Sequence, residues 1–277
     1  MSLTTKTETI TPAKAAEYLK KNRHNRRIQD TLVSKYAREI KEGLWECNGE
    51  TIVFDSKGRL TDGQHRLLGV VEAEHPITTL VVRGVPVDSF KTMDSGKRRT
   101  PLDVLHLDGF ALARVLTPAL TQMFKFEQGR IGMTRMPKGG SPTNLEYCQI
   151  AERYPALKES VEFVSKLGVK GVVISPGHMA FIHFLLAQKS RTAANYYTRQ
   201  ILAGVDVKAR TPQYFVRQRL EQANIQKQYR LTATERIAII INGWNMWRTQ
   251  PMRKIDTAQA IRFRTKGQRK DQFPAVL

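Results

Sequence analysis

Between Thr51 and Val71 the chain reads TIVFDSKGRLTDGQHRLLGVV, and within this one stretch its hydrophobic period changes. Thr51 to Phe54 is a β-branched and aromatic run, Asp55 to Gly58 is a turn cluster, and Arg59 to Thr61 resumes as a short strand. The first half therefore reads as a β-hairpin. From Leu67 onward, Leu67, Leu68, Val70 and Val71 suit a buried helical face instead of an alternating strand. Strand, glycine turn and helix must then meet at Asp62-Gly63-Gln64-His65-Arg66. That order leaves backbone N–H groups and the positive end of a helix dipole above Gly63, a ready anion site. His65 and Arg66 add side-chain donors there, and Asp62 adds a carboxylate able to hold a metal ion or accept a proton. The same residues can also be read as an Asp-Gly turn followed by a solvated helix cap.

DGQHRLLG, preceded by NRR and a strand, is similar to the loop of the ParB/sulfiredoxin superfamily, and most of all to its phage-type ParB-like proteins. Partition proteins carry G-E-R-R in this loop, sulfiredoxins G-C-H-R and free-serine kinases D-G-H-H-R. The likeness covers residues 8 to 104. It implies an α/β N-terminal domain with a small mixed sheet, over residues 1–104, which binds a nucleoside triphosphate (ATP or CTP) with Mg²⁺. By that resemblance Gly63, Gln64, His65 and Arg66 grip phosphate, and Arg26 and Arg27 stand where the family has a P-R box enclosing the nucleotide. The segment Met93 to Thr100 resembles a D-x-G-x-x-R element of the phage group. It adds Lys97, Arg98 and Arg99 as phosphate contacts and Asp94 as a partner for Asp62 in holding Mg²⁺, which typically takes one or two carboxylates plus phosphate oxygens. Asp62, His65 and Asp94 are the catalytic candidates. Gln64 replaces the sulfiredoxin cysteine, and an amide cannot perform that thiolate's chemistry.

Strand, helix and strand follow one another from the hairpin through the DGQHR helix to Ile77–Val82, read as a buried strand. This spacing implies a parallel pair with the loop at a strand's carboxyl end. Before the hairpin, Thr7 to Ile10 is a short strand and Pro12 opens a helix. A further helix runs from Asp30 or Thr31 to Glu42 and stops at Gly43. Trp45 reads as a core anchor, and Glu46 and Glu50 are outside candidates for a general base.

Charge divides the chain. Lys plus Arg number 45 against 25 Asp plus Glu, a net of +20; residues 1–104 contribute 18 basic and 14 acidic side chains, and residues 105–277 contribute 27 and 11. A field of that sign attracts polyanions. Residues 105–277 read as an all-α basic domain whose expected partner is duplex DNA. The loop Gly129 to Pro142 brings Arg130, Arg135 and Lys138. The helix from Pro212 to Gln228 and its flanks interleave Arg210, Arg217, Arg219, Lys227 and Arg230 with Tyr214, Phe215 and Tyr229, as backbone neutralisation with base stacking requires. A solvated amphipathic helix has the same look. His178 and His183 lack the helical spacing of a metal pair and read as structural.

No run approaches the length of a membrane span and Met1 to Ile10 is polar, so no membrane partner and a cytoplasmic location are expected, in the host if the chain is phage-encoded. Cys47 and Cys148 are too few for a disulfide framework or a cysteine zinc site. A second copy of the chain is a candidate partner. The leading functional reading is an NTP-dependent phosphotransferase or NTPase acting on DNA. The alternatives are a non-catalytic nucleotide-switched DNA-binding protein and, last, a ParB-like nuclease, for which no dense carboxylate cluster is visible.

Overall fold

The architecture is given by a computed structural model that describes residues 2–23, 25, 27–91, 99–133, 140–168, 171–172, 174–225, 230–250, 261–265 and 271–277. The chain forms two compact units, Met1–Arg98 with Met136–Leu145, and Arg99–Arg135 with Glu146–Leu277.

The first unit is a small mixed sheet carrying helices. Strands β1 (Thr4–Ile10), β2 (Thr51–Asp55), β3 (Leu60–Asp62) and β4 (Ile77–Val85) lie in the order β1-β4-β2-β3. β1 runs antiparallel to β4, β2 parallel to β4, and β3 antiparallel to β2. Helices α1 (Pro12–Leu19), α2 (Asp30–Lys41) and α3 (Gln64–Ala73) bury Ala15, Tyr18, Ala37, Ile40, Leu67 and Val70 with Ile52, Phe54 and Val81 of the strands. β4 buries alternate residues, Ile77, Thr79 and Val81, while Thr78 is exposed. The continuous apolar run ITTLVV is therefore a strand with one covered face, as mixed and antiparallel sheets allow. Trp45 anchors its corner, packing on this core and donating from Nε1–H to Thr78 O at 3.0 Å.

Local chemistry sets the helix ends. Thr11 Oγ1 accepts from Lys14 N–H at 3.2 Å and Pro12 occupies the first turn of α1. Gly43, at φ +69°, lets Leu44 N–H return to Glu39 O at 2.8 Å after α2. Gly63 adopts φ +95° between β3 and α3, with no side-chain cap.

The parallel pair exists, but the DGQHR turn lies at the other end of it. The hairpin turn at Asp55–Gly58 reverses the chain before the helix begins, so Asp62 sits level with Val53. A Cβ on Gly63 would lie 3.2 Å from Ile52 Cα. The loop thus follows the carboxyl end of β3 and flanks the amino end of β2.

In the second unit, among the described residues, α4 (Pro101–Leu107), α5 (Ala113–Glu127), α6 (Asn144–Arg153, beginning in the returning segment of the first unit), α7 (Pro155–Leu167), α8 (Pro176–Ala187), α9 (Arg191–Ala203), α10 (Pro212–Ile225) and α11 (Ala233–Thr249) follow in order. α8 is the central element, with Met179 to Leu186 buried on every side and α5, α7, α9 and α11 packed against it. Pro118 does not interrupt α5; it packs against Gly177, where a Cβ would meet Pro118 Cγ at 2.4 Å. Trp244 is fully buried, and its Nε1–H donates to Leu277 O at 3.0 Å. Among the described residues no helix is long and apolar enough to cross a membrane.

Candidate functional site

The DGQHR side chains point inward. Gln64, His65 and Arg66 are only 4%, 5% and 5% exposed, so none of them is a solvated cap. Arg66 bridges two carboxylates, Nη1–H to Glu50 Oε2 at 3.0 Å and Nη2–H to Asp62 Oδ2 at 2.8 Å. The guanidinium is buried while Glu50 keeps 68% of its side-chain surface and Asp62 26%. A buried cation of this kind needs its partners, since an unpaired charge there costs several kcal/mol. Glu50, an outside candidate as a base, is in fact one of the two groups that balance Arg66.

His65 and Gln64 hold a different object, the polar segment between α1 and α2. His65 Nε2 accepts from Gln29 N–H at 3.0 Å, and Gln64 Oε1 accepts from Asn22 Nδ2–H at 3.0 Å. Asn25 Nδ2–H donates to Asn22 Oδ1 at 2.7 Å and to Leu60 O at 2.9 Å, and Leu60 N–H donates to Lys21 O at 3.1 Å. The basic segment is thereby tied along β3 and the first turn of α3, with Arg23 and Arg27 exposed on its outer side. Asn22, Asn25 and Gln29 escaped the sequence reading because an amide in a connecting segment has no period and no motif of its own.

This arrangement brings Asp62, Gly63, Gln64, His65 and Arg66 together with Glu50 and the strap that carries Arg27. Arg99 is exposed just before α4 in the second unit. Arg26, Asp94, Lys97, Arg98, Arg135, Lys138 and Lys227 lie outside the described residues. Among the described residues no group of three or more His, Cys, Asp or Glu side chains is placed to hold a metal. Asp62 and Glu50 both face the Arg66 guanidinium.

At the carboxyl end of β2 and β4 lies a second cluster that no motif announced. Glu8 accepts from Arg83 Nη1 at 2.6 Å, from Tyr18 Oη at 2.8 Å and from Lys14 Nζ at 2.8 Å, and Arg83 Nη2–H donates to Tyr18 Oη at 2.7 Å. Burial pushes the Glu8 carboxyl up, but hydrogen bonds from Arg83, Lys14 and Tyr18 outweigh it and hold the group down at about 2. A bulge opposite Phe54 and Asp55, with Gly84 at φ +83°, aims Arg83 toward this cluster. Lys21 and Arg83 sit over the Tyr18 and Phe54 rings at 5.5–5.8 Å, walling a cleft of about 190 Å³ that Asp55 and Gly58 complete. Asp55, 1% exposed, is fully occupied by Lys57 N–H, Arg59 N–H and the Arg59 guanidinium.

In the second unit the cationic stripe divides. Arg217 turns inward, donating to Ile201 O and Glu221 Oε1, each at 2.7 Å, beneath Gly204. Phe215 is buried, while Tyr214, Arg210 and Arg230 are exposed, and Arg130 and Arg219 are half-buried. His183 is structural, held between Ser160 Oγ at 2.9 Å and Asn195 Oδ1 at 2.8 Å. Cys148 is no nucleophile, because burial first and Asp108 second push its thiol up to about 11. No family model, no curated protein and no solved structure matches the chain.

Proposed function

We propose that the chain is a ParB-like protein that binds a Mg²⁺–nucleoside triphosphate, ATP or CTP, at the start of α3 and acts on DNA as a phosphotransferase or NTPase. The observation that carries this reading is the αL turn at Gly63 opening directly onto α3, with Arg66 buried behind it between Asp62 and Glu50. A helix start that offers backbone N–H groups with an arginine beneath it suits a phosphate chain. Asp62 and Glu50 would hold the metal, and the metal would neutralise charge on the phosphates. Arg66 would orient them, and Arg27 on the tied strap would close over the outer side. Duplex DNA would meet the exposed cations of the second unit.

One observation favours the non-catalytic switch as a second reading. Arg66 is already neutralised, so a phosphate must take it from a carboxylate, and the largely exposed Glu50 is the easier one to release. An exchange of partners on one buried cation gives two discrete states that a nucleotide can bias.

Both readings are tested by titrating ATP, ADP, CTP, GTP and UTP with Mg²⁺, with and without duplex DNA, and following binding and turnover. One triphosphate is expected to bind in a Mg²⁺-dependent way. Arg66→Lys, which keeps the charge but loses the fork, should weaken it about 10- to 100-fold, the equivalent of one charged hydrogen-bond pair. Turnover selects the enzyme; binding without turnover selects the switch. If no nucleotide binds the folded wild-type chain, neither reading stands.

A further inference from the structure

The cleft of about 190 Å³ in the first unit lies at the carboxyl ends of the parallel strands β2 and β4, where sheets of this kind commonly take their ligands. Its inner wall is a pair of rings. Tyr18 and Phe54 stand edge to face with centroids 4.9 Å apart, and both are otherwise buried. Two cations face that same pair. Lys21 Nζ lies 5.6 Å from the Tyr18 centroid and 5.7 Å from that of Phe54, and Arg83 Cζ lies 5.8 Å and 5.5 Å from them.

The carboxylates around the cleft are already engaged. Glu8 Oε1 takes Arg83 Nη1–H, and Glu8 Oε2 takes Tyr18 Oη–H and Lys14 Nζ. Asp55 Oδ1 takes the backbone N–H groups of Lys57 and Arg59, and Oδ2 takes the Arg59 guanidinium. Among the described residues Lys21 forms no ion pair. Arg83 has N–H groups beyond the two that Glu8 and Tyr18 accept. A cationic ligand would find no free acceptor here and would meet two positive charges. An anion with a flat apolar body uses both the unpaired ammonium and the rings. A cavity of about 150 Å³ is enough for benzene, so this cleft has room for one ring and one carboxylate.

We infer that the cleft is a binding site for a small monocyclic aromatic carboxylate. Its carboxylate meets the Lys21 ammonium and the remaining N–H groups of Arg83, and its ring lies against Tyr18 and Phe54. The site shares no residue with the Gly63 turn, which flanks the opposite end of β2, and it stands whether or not a nucleotide binds there.

The test uses the full chain with benzoate as the probe, at constant ionic strength, followed by calorimetry and by the ring resonances of labelled Tyr and Phe. Benzoate should bind with a Kd of about 0.1–1 mM. Acetate, which lacks the ring, and benzyl alcohol, which lacks the charge, should each bind about 10-fold more weakly. Lys21 is exposed, so Lys21→Met keeps the stem and the fold while removing the charge, and it should weaken benzoate about 10-fold. The Tyr18 and Phe54 resonances should move as benzoate is added. The site is overturned by a wild-type chain that does not bind benzoate, or by acetate or inorganic phosphate binding as tightly as benzoate. Undiminished binding by Lys21→Met, or benzoate binding that leaves the Tyr18 and Phe54 resonances fixed, overturns it equally.

Discussion

Alanine at Gly69 should cost about 2–3 kcal/mol of unfolding free energy, the scale of overpacking a close helix contact. A Cβ there would lie 2.6 Å from Tyr36 Cβ, 3.3 Å from Ala37 N and 3.4 Å from Tyr36 C. None of these is the end of a flexible side chain, so α2 and α3 must separate to accept it. The same two helices frame the region around the Gly63 turn, and His65 on α3 holds Gln29 just before α2. Urea unfolding should therefore show a lower midpoint with an unchanged slope. Gly58→Ala is the comparison. Gly58 has φ +73° but open space around it, so only the αL cost of about 1–2 kcal/mol applies. A Gly69→Ala loss no larger than that of Gly58→Ala would show that α2 and α3 do not pack as described.

The Glu8 cluster should make the first unit acid-sensitive. Its carboxyl titrates at about 2 in the folded chain against an ordinary 4.5, so the unfolded chain takes up the proton first. The stabilisation is complete above about pH 5 and lost as pH falls from 4.5 toward 2, with a full value of about 3 kcal/mol, reduced where solvent reaches Arg83. Asp55 is shifted in the same direction: burial raises its pKa, but Arg59 and Lys57 outweigh that by hydrogen bonding to it, so it too stabilises the folded chain at neutral pH and loses that contribution in acid. Glu8→Gln should lower stability at pH 7 by a similar amount and flatten the acid limb of a stability–pH curve. A variant with an acid limb as steep as wild type would remove Glu8 from that role. Arg83→Ala should be at least as harmful, since it leaves Glu8 and Tyr18 without their shared donor.

The legible parts of the molecule were the local ones. The hairpin, the Gly63 turn, the start of α1 at Pro12 and the stop of α2 at Gly43 all depend on residues within one turn of each other. Their spacing therefore carries the information. The accommodation of Pro118 inside α5 is not readable from the sequence, because it depends on Gly177, far along the chain. The orientation of Gln64, His65 and Arg66 was not legible either, because a polar side chain at a helix start reads the same whether it faces solvent or Asn22, Gln29 and Glu50.

From sequence alone follow the elements of the first unit, the glycine turn between the hairpin and the next helix, and the concentration of positive charge after residue 104. Backbone propensity and charge act over a few residues or by simple summation, so order along the chain is enough to state them. Only the tertiary structure decided that the hairpin puts the turn at the amino end of β2, and that Arg66 is neutralised by Asp62 and Glu50. Those outcomes depend on which distant groups are desolvated together, and the energy of a charge is set by its surroundings in space, not by its neighbours in the chain.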